Sequence, residues 1–129
     1  MTAVKHDKEK PMMALIPASA LEAEARVWGF GAKKYSAWNW TGGLMYTRIL
    51  SALMRHTVAI MKGEDIDPET GELHAASIRC NAAMLIEFQT TGRTELDDRM
   101  SATQPKAPPV VCPVVVEYNN RGNTKKKGK

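Results

Sequence analysis

Five carboxylates and a histidine fall within the thirteen residues KGEDIDPETGELH, positions 62 to 74. Anions this close repel one another unless a cation, hydrogen-bond donors or open water offsets them. The stretch is therefore a solvated loop or a metal site. An EF-hand is excluded, because its glycine would fall one position before Gly71 and its closing glutamate where Ala76 stands. What remains is oxygen-rich ligation of Mg²⁺ or Mn²⁺, ions that keep waters and share their sites with substrate phosphates. Asp65, Asp67 and Glu69 alternate, so an extended backbone would aim them to one side.

Three polar residues stand on otherwise apolar helical stripes. His56 lies between Leu53 and Ile60, while His74 and Asn81 precede Leu85 and Phe88. A buried polar group left without a partner costs about 1–3 kcal/mol, and most such groups simply bond a backbone carbonyl. Two histidines and an asparagine converging beside five acids favour a functional site instead.

A polyphosphate held there also needs cations. Lys10, Lys33, Lys34 and Arg55 are the candidates, although lysines at a helix C-terminus are ordinary dipole complements. The loop aromatics Tyr35, Trp38 and Trp40 offer stacking surfaces for a base, with Asn39 to read its edge. The competing reading is that they plug the end of a helical bundle.

These residues need helices to position them. Ser19 with Glu22 three residues on forms a capping box, starting a helix that runs to about Lys34 with Leu21, Ala25, Trp28 and Ala32 on one face. Arg26, four residues after Glu22, would give it a surface salt bridge. A second helix is predicted over 44–62, with the stripe Ile49, Leu53, His56, Ile60 and beside it Leu50, Met54, Met61. It stops at Gly63. A third spans about 72–90, with Glu72 in its first turn. Three helices with short links predict an all-α antiparallel bundle over residues 1–100. Residues 101–129 form a separate Pro/Val-rich extended arm, at best an edge strand, and a basic tail.

Charge and composition bound the rest. The net charge of +4 belongs to the tail: residues 1–100 carry 12 basic and 13 acidic side chains, residues 101–129 carry 6 and 1. A basic folded face, the usual footprint of nucleic-acid binding, is thus not expected. No run approaches the roughly 18 apolar residues of a membrane span, and the polar start MTAVKHDKEK lacks the apolar stretch of a secretory signal, so a cytoplasmic protein is expected. Cys80 and Cys112 lack metal-ligand spacing and read as packing residues.

The segments KPMMALIPASAL, GAKKYSAWNW, LMRHTVAIMKGEDIDPETGELH and CNAAMLIEF resemble the phage branch of the MazG-like all-α nucleoside triphosphate pyrophosphohydrolases, the dATP/dGTP diphosphohydrolase (MazZ-type) family. The resemblance covers about residues 10–99. It implies a helical homo-oligomer, with a tetramer favoured, that uses Mg²⁺ or Mn²⁺ to split a purine deoxynucleoside triphosphate between the α- and β-phosphates. In phages that replace adenine with 2-aminoadenine, the dGMP so made would feed synthesis of the modified nucleotide. Typical MazG proteins carry E-x-x-E on one helix and E-x-x-D on the next. Here the corresponding places hold His56 with Ala59 and His74 with Ser77.

Metal binding is accordingly expected from Glu64, Asp65, Asp67 and His74, with Glu24 as a further contributor from the first helix. Glu64, Asp67 and His56 are expected to act in catalysis, and Lys10, Lys33, Lys34, Tyr35, Asn39, Trp40, Arg55 and Asn81 to bind substrate. In the expected reaction a carboxylate or histidine takes a proton from water attacking the α-phosphorus, and lysine or arginine neutralises the leaving pyrophosphate. Two other classes fit the same residues: a non-catalytic nucleotide-binding or antagonist protein, and a nucleic-acid-associated protein acting through its lysine tail.

Overall fold

A computed structural model describes residues 2–100 of the chain, and the arm and basic tail expected over 101–129 lie outside the described residues. Three α-helices make up the described part: α1 (Ala18–Lys34), α2 (Tyr46–Met61) and α3 (His74–Thr90). Short 3-10 turns precede α1, join α1 to α2 and follow α3. The only strand-like pairing among the described residues is one antiparallel bridge, Ile66 to Leu73. The fold is all-α, as the periodicity predicts.

α2 and α3 form an antiparallel hairpin, and α1 packs against α3. The direction follows from which residues meet: His56 reaches His74 at one end, and Tyr46 and Ile49 cluster with Phe88 at the other. Leu96 closes that cluster, and Trp40, Leu44, Met84 and Leu85 pack around it. Burying Ile49 and Phe88 this completely contributes about 1.5–3 kcal/mol for each. Phe88 stands fourteen residues beyond His74, roughly 21 Å along the helix axis, so the apolar core and the histidines occupy opposite ends of the hairpin.

Two expectations about α1 fail for identifiable reasons. The helix starts at Ala18, because the carbonyl of Pro17 accepts the amides of Ala20 and Leu21. Ser19 therefore sits inside the first turn, and no side chain caps the helix. The buried face is also rotated. Ala23 is buried, Ala20, Glu24 and Val27 are half-buried, and Leu21, Ala25 and Ala32 are exposed. Ala23 takes the most buried place on that face, with Glu24, Val27 and Trp28 half-buried beside it. On α2 the Met54 and Met61 edge of the second stripe is exposed, while Ile49 on the first is buried.

The link from α2 to α3 is more ordered than its composition suggests. Gly63, at φ +89°, stands just beyond the helix end, in the left-handed region that favours glycine. Its amide bonds Ile60 O at 2.9 Å, and the amide of Glu64 bonds Ala59 O at 3.0 Å. This pair of bonds is a Schellman motif. The loop then folds back on itself: Asp67 N bonds Glu72 O, and His74 N bonds Asp65 O, both at 2.8 Å. α3 thus begins at His74, two residues later than predicted.

Candidate metal and active site

The helix geometry brings His56, from the last turns of α2, against His74, the first residue of α3. Their Nδ1 atoms lie 2.8 Å apart. On the far side of its ring His74 Nε2 lies 2.9 Å from Glu64 Oε1. A carboxylate oxygen accepts, so His74 Nε2 carries the proton; Nδ1 of a neutral His74 then accepts from Nδ1–H of His56. His74 is buried, His56 half-buried, and the Glu64 side chain is 54% exposed. Burial holds the His56 imidazole below its usual range, reinforced by His74 and Arg55 and opposed by the nearby Asp67 carboxylate.

Asp67 completes the cluster. It is the buried acid of the loop, with Oδ2 3.9 Å from His56 Nδ1. Its Oδ1 accepts the amide of Glu69 at 2.9 Å, an Asx turn around Pro68. That turn is why Asp65, Asp67 and Glu69 do not point to one side as alternation predicts. Asp67 is directed inward, Asp65 is exposed, and Glu69 pairs with Lys34 of α1.

The remaining loop acid, Glu72, accepts from Arg26 Nε at 2.6 Å, so Arg26 serves the loop rather than Glu22. Arg26 and Lys34 of α1, together with the backbone amide donated to the buried Asp67, offset much of the charge that the bare sequence leaves unexplained. Glu24 accepts from Trp28 Nε1 at 3.2 Å and from Arg79 Nε at 3.0 Å, one bond to each of its oxygens.

His56, Asp67 and His74 each offer a ligand atom, and these atoms lie within 4.8 Å of one another. Two imidazoles and a carboxylate are a donor set suited to a divalent ion. Of the four expected metal ligands the fold gathers Asp67 and His74, with His56 beside them. Glu64 reaches the opposite nitrogen of His74, and Asp65 contributes its backbone carbonyl to His74 N.

Next to the cluster, a groove of about 400 Å³ runs along the outer face of α2, lined by Met54, Arg55, Val58, Ala59, Lys62 and Glu64. Arg55 and Lys62 are seven residues apart on one helix face, a spacing readable from sequence, yet Lys62 is absent from the expected set.

The other expected substrate residues are dispersed. Lys34 and the exposed Tyr35 stand together, the ammonium 5.4 Å from the ring centre. Lys10 and Lys33 are exposed, as is Asn39 in the turn after α1. Asn81 bonds Ser77 O within α3 at 2.9 Å. Trp40 packs between Trp28 and Phe88, with ring centres 5.3 and 5.8 Å away. It is a core aromatic at the far end of the hairpin, whereas Trp38 is exposed at φ +64°.

An all-α hairpin carrying a histidine and carboxylate cluster at its loop end defines the class. Within it, residues 1–99 match the family described as dATP/dGTP diphosphohydrolase, N-terminal, and the chain belongs to that family. It is similar to a dATP/dGTP diphosphohydrolase of Salmonella phage PMBT28, with 38% identity over 99 residues, covering 77% of this chain and 33% of the relative. The chain thus spans about a third of the length of the curated relative it matches. No solved structure matches it.

Proposed function

We propose that this chain carries out divalent-metal-dependent hydrolysis of purine deoxynucleoside triphosphates, dGTP or dATP, to the monophosphate and pyrophosphate. The observation that carries the reading is the His56–Asp67–His74 cluster, with Glu64 bridging it to a cationic groove, in a chain of this family. The named activity of the phage relative supports the substrate class. The MazG-like resemblance supports a homo-oligomer, with a tetramer favoured, acting in phage nucleotide metabolism in the host cytoplasm. Among the described residues no helix is long and apolar enough to cross a membrane. Residues 1–100 would carry the chemistry, with 101–129 as a separate segment.

His56, His74 and Asp67 would hold the ion, with Mg²⁺ or Mn²⁺ expected. When bound, it would screen phosphate charge and lower the pKa of a bound water. Glu64 keeps His74 oriented through Oε1, which leaves Oε2 at the mouth of the groove to take a proton from the attacking water. As that water's oxygen bonds the α-phosphorus, the bond from the α-phosphorus to the bridging oxygen breaks and pyrophosphate leaves with the electron pair. Arg55 and Lys62 line the groove where its negative charge would develop. Lys34, paired with Glu69 of the acidic loop, and Tyr35 beside it would meet the remainder of the substrate.

The test is incubation of the protein with each nucleoside triphosphate and Mg²⁺ or Mn²⁺, followed by product analysis. Pyrophosphate with a deoxynucleoside monophosphate is expected from dGTP or dATP. Orthophosphate would refute the cleavage position, and nucleotide binding without either product would favour the non-catalytic reading.

A further inference from the structure

We infer that the loop end of the hairpin is a single-ion site built from His56 Nδ1, His74 Nδ1 and Asp67 Oδ2, selective for a first-row transition metal of the Mn²⁺ to Zn²⁺ range over Mg²⁺. The assignment rests on the proposed metal-dependent chemistry and sharpens it by naming the class of ion.

Donor type is the first argument. Mg²⁺ is a hard ion that prefers oxygen and sheds water reluctantly, whereas imidazole nitrogen suits the transition metals. Two of the three converging atoms here are nitrogens. Most of the loop carboxylates that would give an oxygen cage are engaged elsewhere: Glu69 with Lys34, Glu72 with Arg26, Glu64 with the far nitrogen of His74, and one oxygen of Asp67 with the Glu69 amide, while the Asp65 side chain is exposed.

Spacing is the second. Adjacent ligands on a six-coordinate ion with bonds near ~2.1 Å stand about 3.0 Å apart, and opposite ligands about 4.2 Å. The two Nδ1 atoms are 2.8 Å apart and His56 Nδ1 is 3.9 Å from Asp67 Oδ2. The histidine nitrogens already have the separation of adjacent ligands.

Glu64 supplies the third. A ligating histidine characteristically donates its other ring N–H to a carboxylate, which fixes the tautomer and the ring plane. Glu64 Oε1 stands 2.9 Å from His74 Nε2, on the side opposite the cluster. In this assignment Glu64 is a positioning residue toward the ion, acting through His74 and not as a ligand. The Schellman turn at Gly63 fixes where its backbone lies.

The experiment uses the full chain carrying His6→Ala, so that His56 and His74 are its only histidines. Mn²⁺ is titrated in by electron paramagnetic resonance, with pulsed measurement of nitrogen hyperfine coupling and with Mg²⁺ as competitor. The expected result is one Mn²⁺ per chain, coupled to imidazole nitrogen and displaced only by at least a hundredfold more Mg²⁺. His56→Ala should weaken binding tenfold or more. Glu64→Ala should weaken it while Glu64→Gln, which keeps an acceptor for His74, restores most of it. The nitrogen coupling is read on native side chains at the site, so a variant that fails to fold does not remove the test. Absence of nitrogen coupling, or competition by Mg²⁺ at equal concentration, overturns the inference. Pyrophosphate release with Mg²⁺ and no nitrogen-bound ion would leave hydrolysis standing without this site. A nitrogen-bound ion with no pyrophosphate from any nucleotide would do the reverse.

Discussion

His56 and His74 approach to 2.8 Å through their Nδ1 atoms although they belong to different helices and are separated by the most acidic stretch of the chain. That contact makes the loop end of the α2–α3 hairpin a site, with the inward-turned Asp67 3.9 Å from His56 Nδ1 and Glu64 on the far nitrogen of His74.

Asp67→Asn and Glu64→Gln are expected to abolish turnover, by a hundredfold or more, while leaving the fold intact. Asparagine can still accept the Glu69 amide and so preserve the Asx turn, yet it removes the charge facing His56. Pyrophosphate release alongside circular dichroism checks this, and full activity in both variants would refute the assignment.

Gly63→Ala is expected to destabilise the chain by about 1–2 kcal/mol, the cost of placing a Cβ in the left-handed region. No neighbouring group lies within 4 Å of the added carbon, so the loss is local backbone strain and not a clash with another part of the fold. Thermal unfolding of the two proteins measures it, and an unchanged midpoint would show that the turn relaxes.

Burial lowers the pKa of His56, so the folded chain binds fewer protons than the unfolded one where pH lies between the depressed value and the ordinary 6.5. Stability then rises with pH across that window and is lost as pH falls through the folded pKa. Urea unfolding midpoints near neutrality should exceed those in mild acid, and His56→Gln should flatten the difference. An equal slope in the variant would assign the effect to other groups.

The Cys80 thiol is pushed up to about 12 by burial, with the Glu24 carboxylate adding to the effect. It should resist alkylation at pH 8 in the folded protein and react promptly in denaturant. Peptide mapping by mass spectrometry distinguishes it from Cys112, and rapid labelling under native conditions would contradict the burial.

Ending the chain after residue 100 should preserve most of the hydrolysis, since every residue of the cluster and the groove precedes that point. Loss of activity with retained helicity would implicate the arm in the working assembly.

Much of this was readable in the residues themselves. The period of α2 and α3, the stop at Gly63 and the pairing of His56 and His74 with the acidic loop all follow from local spacing, because a helix repeats regularly and glycine favours a left-handed turn. Partner choice was less legible. Arg26 has Glu22 four residues away yet bonds Glu72, and Glu69 bonds Lys34, since tertiary packing brings α1 to the loop. Trp40 looks like a stacking platform in sequence but fills the space between Trp28 and Phe88. Pro17 takes over the first helical carbonyl, which puts Ser19 where it has no cap to make.

The distance between the Phe88 core and the histidine pair separates what keeps the hairpin folded from what it can react with. Groups this far apart with no shared partners alter free energy additively. Repacking around Ile49 or Leu96 should therefore harden the scaffold against heat without retuning its reactive end, giving an engineer two dials that turn independently.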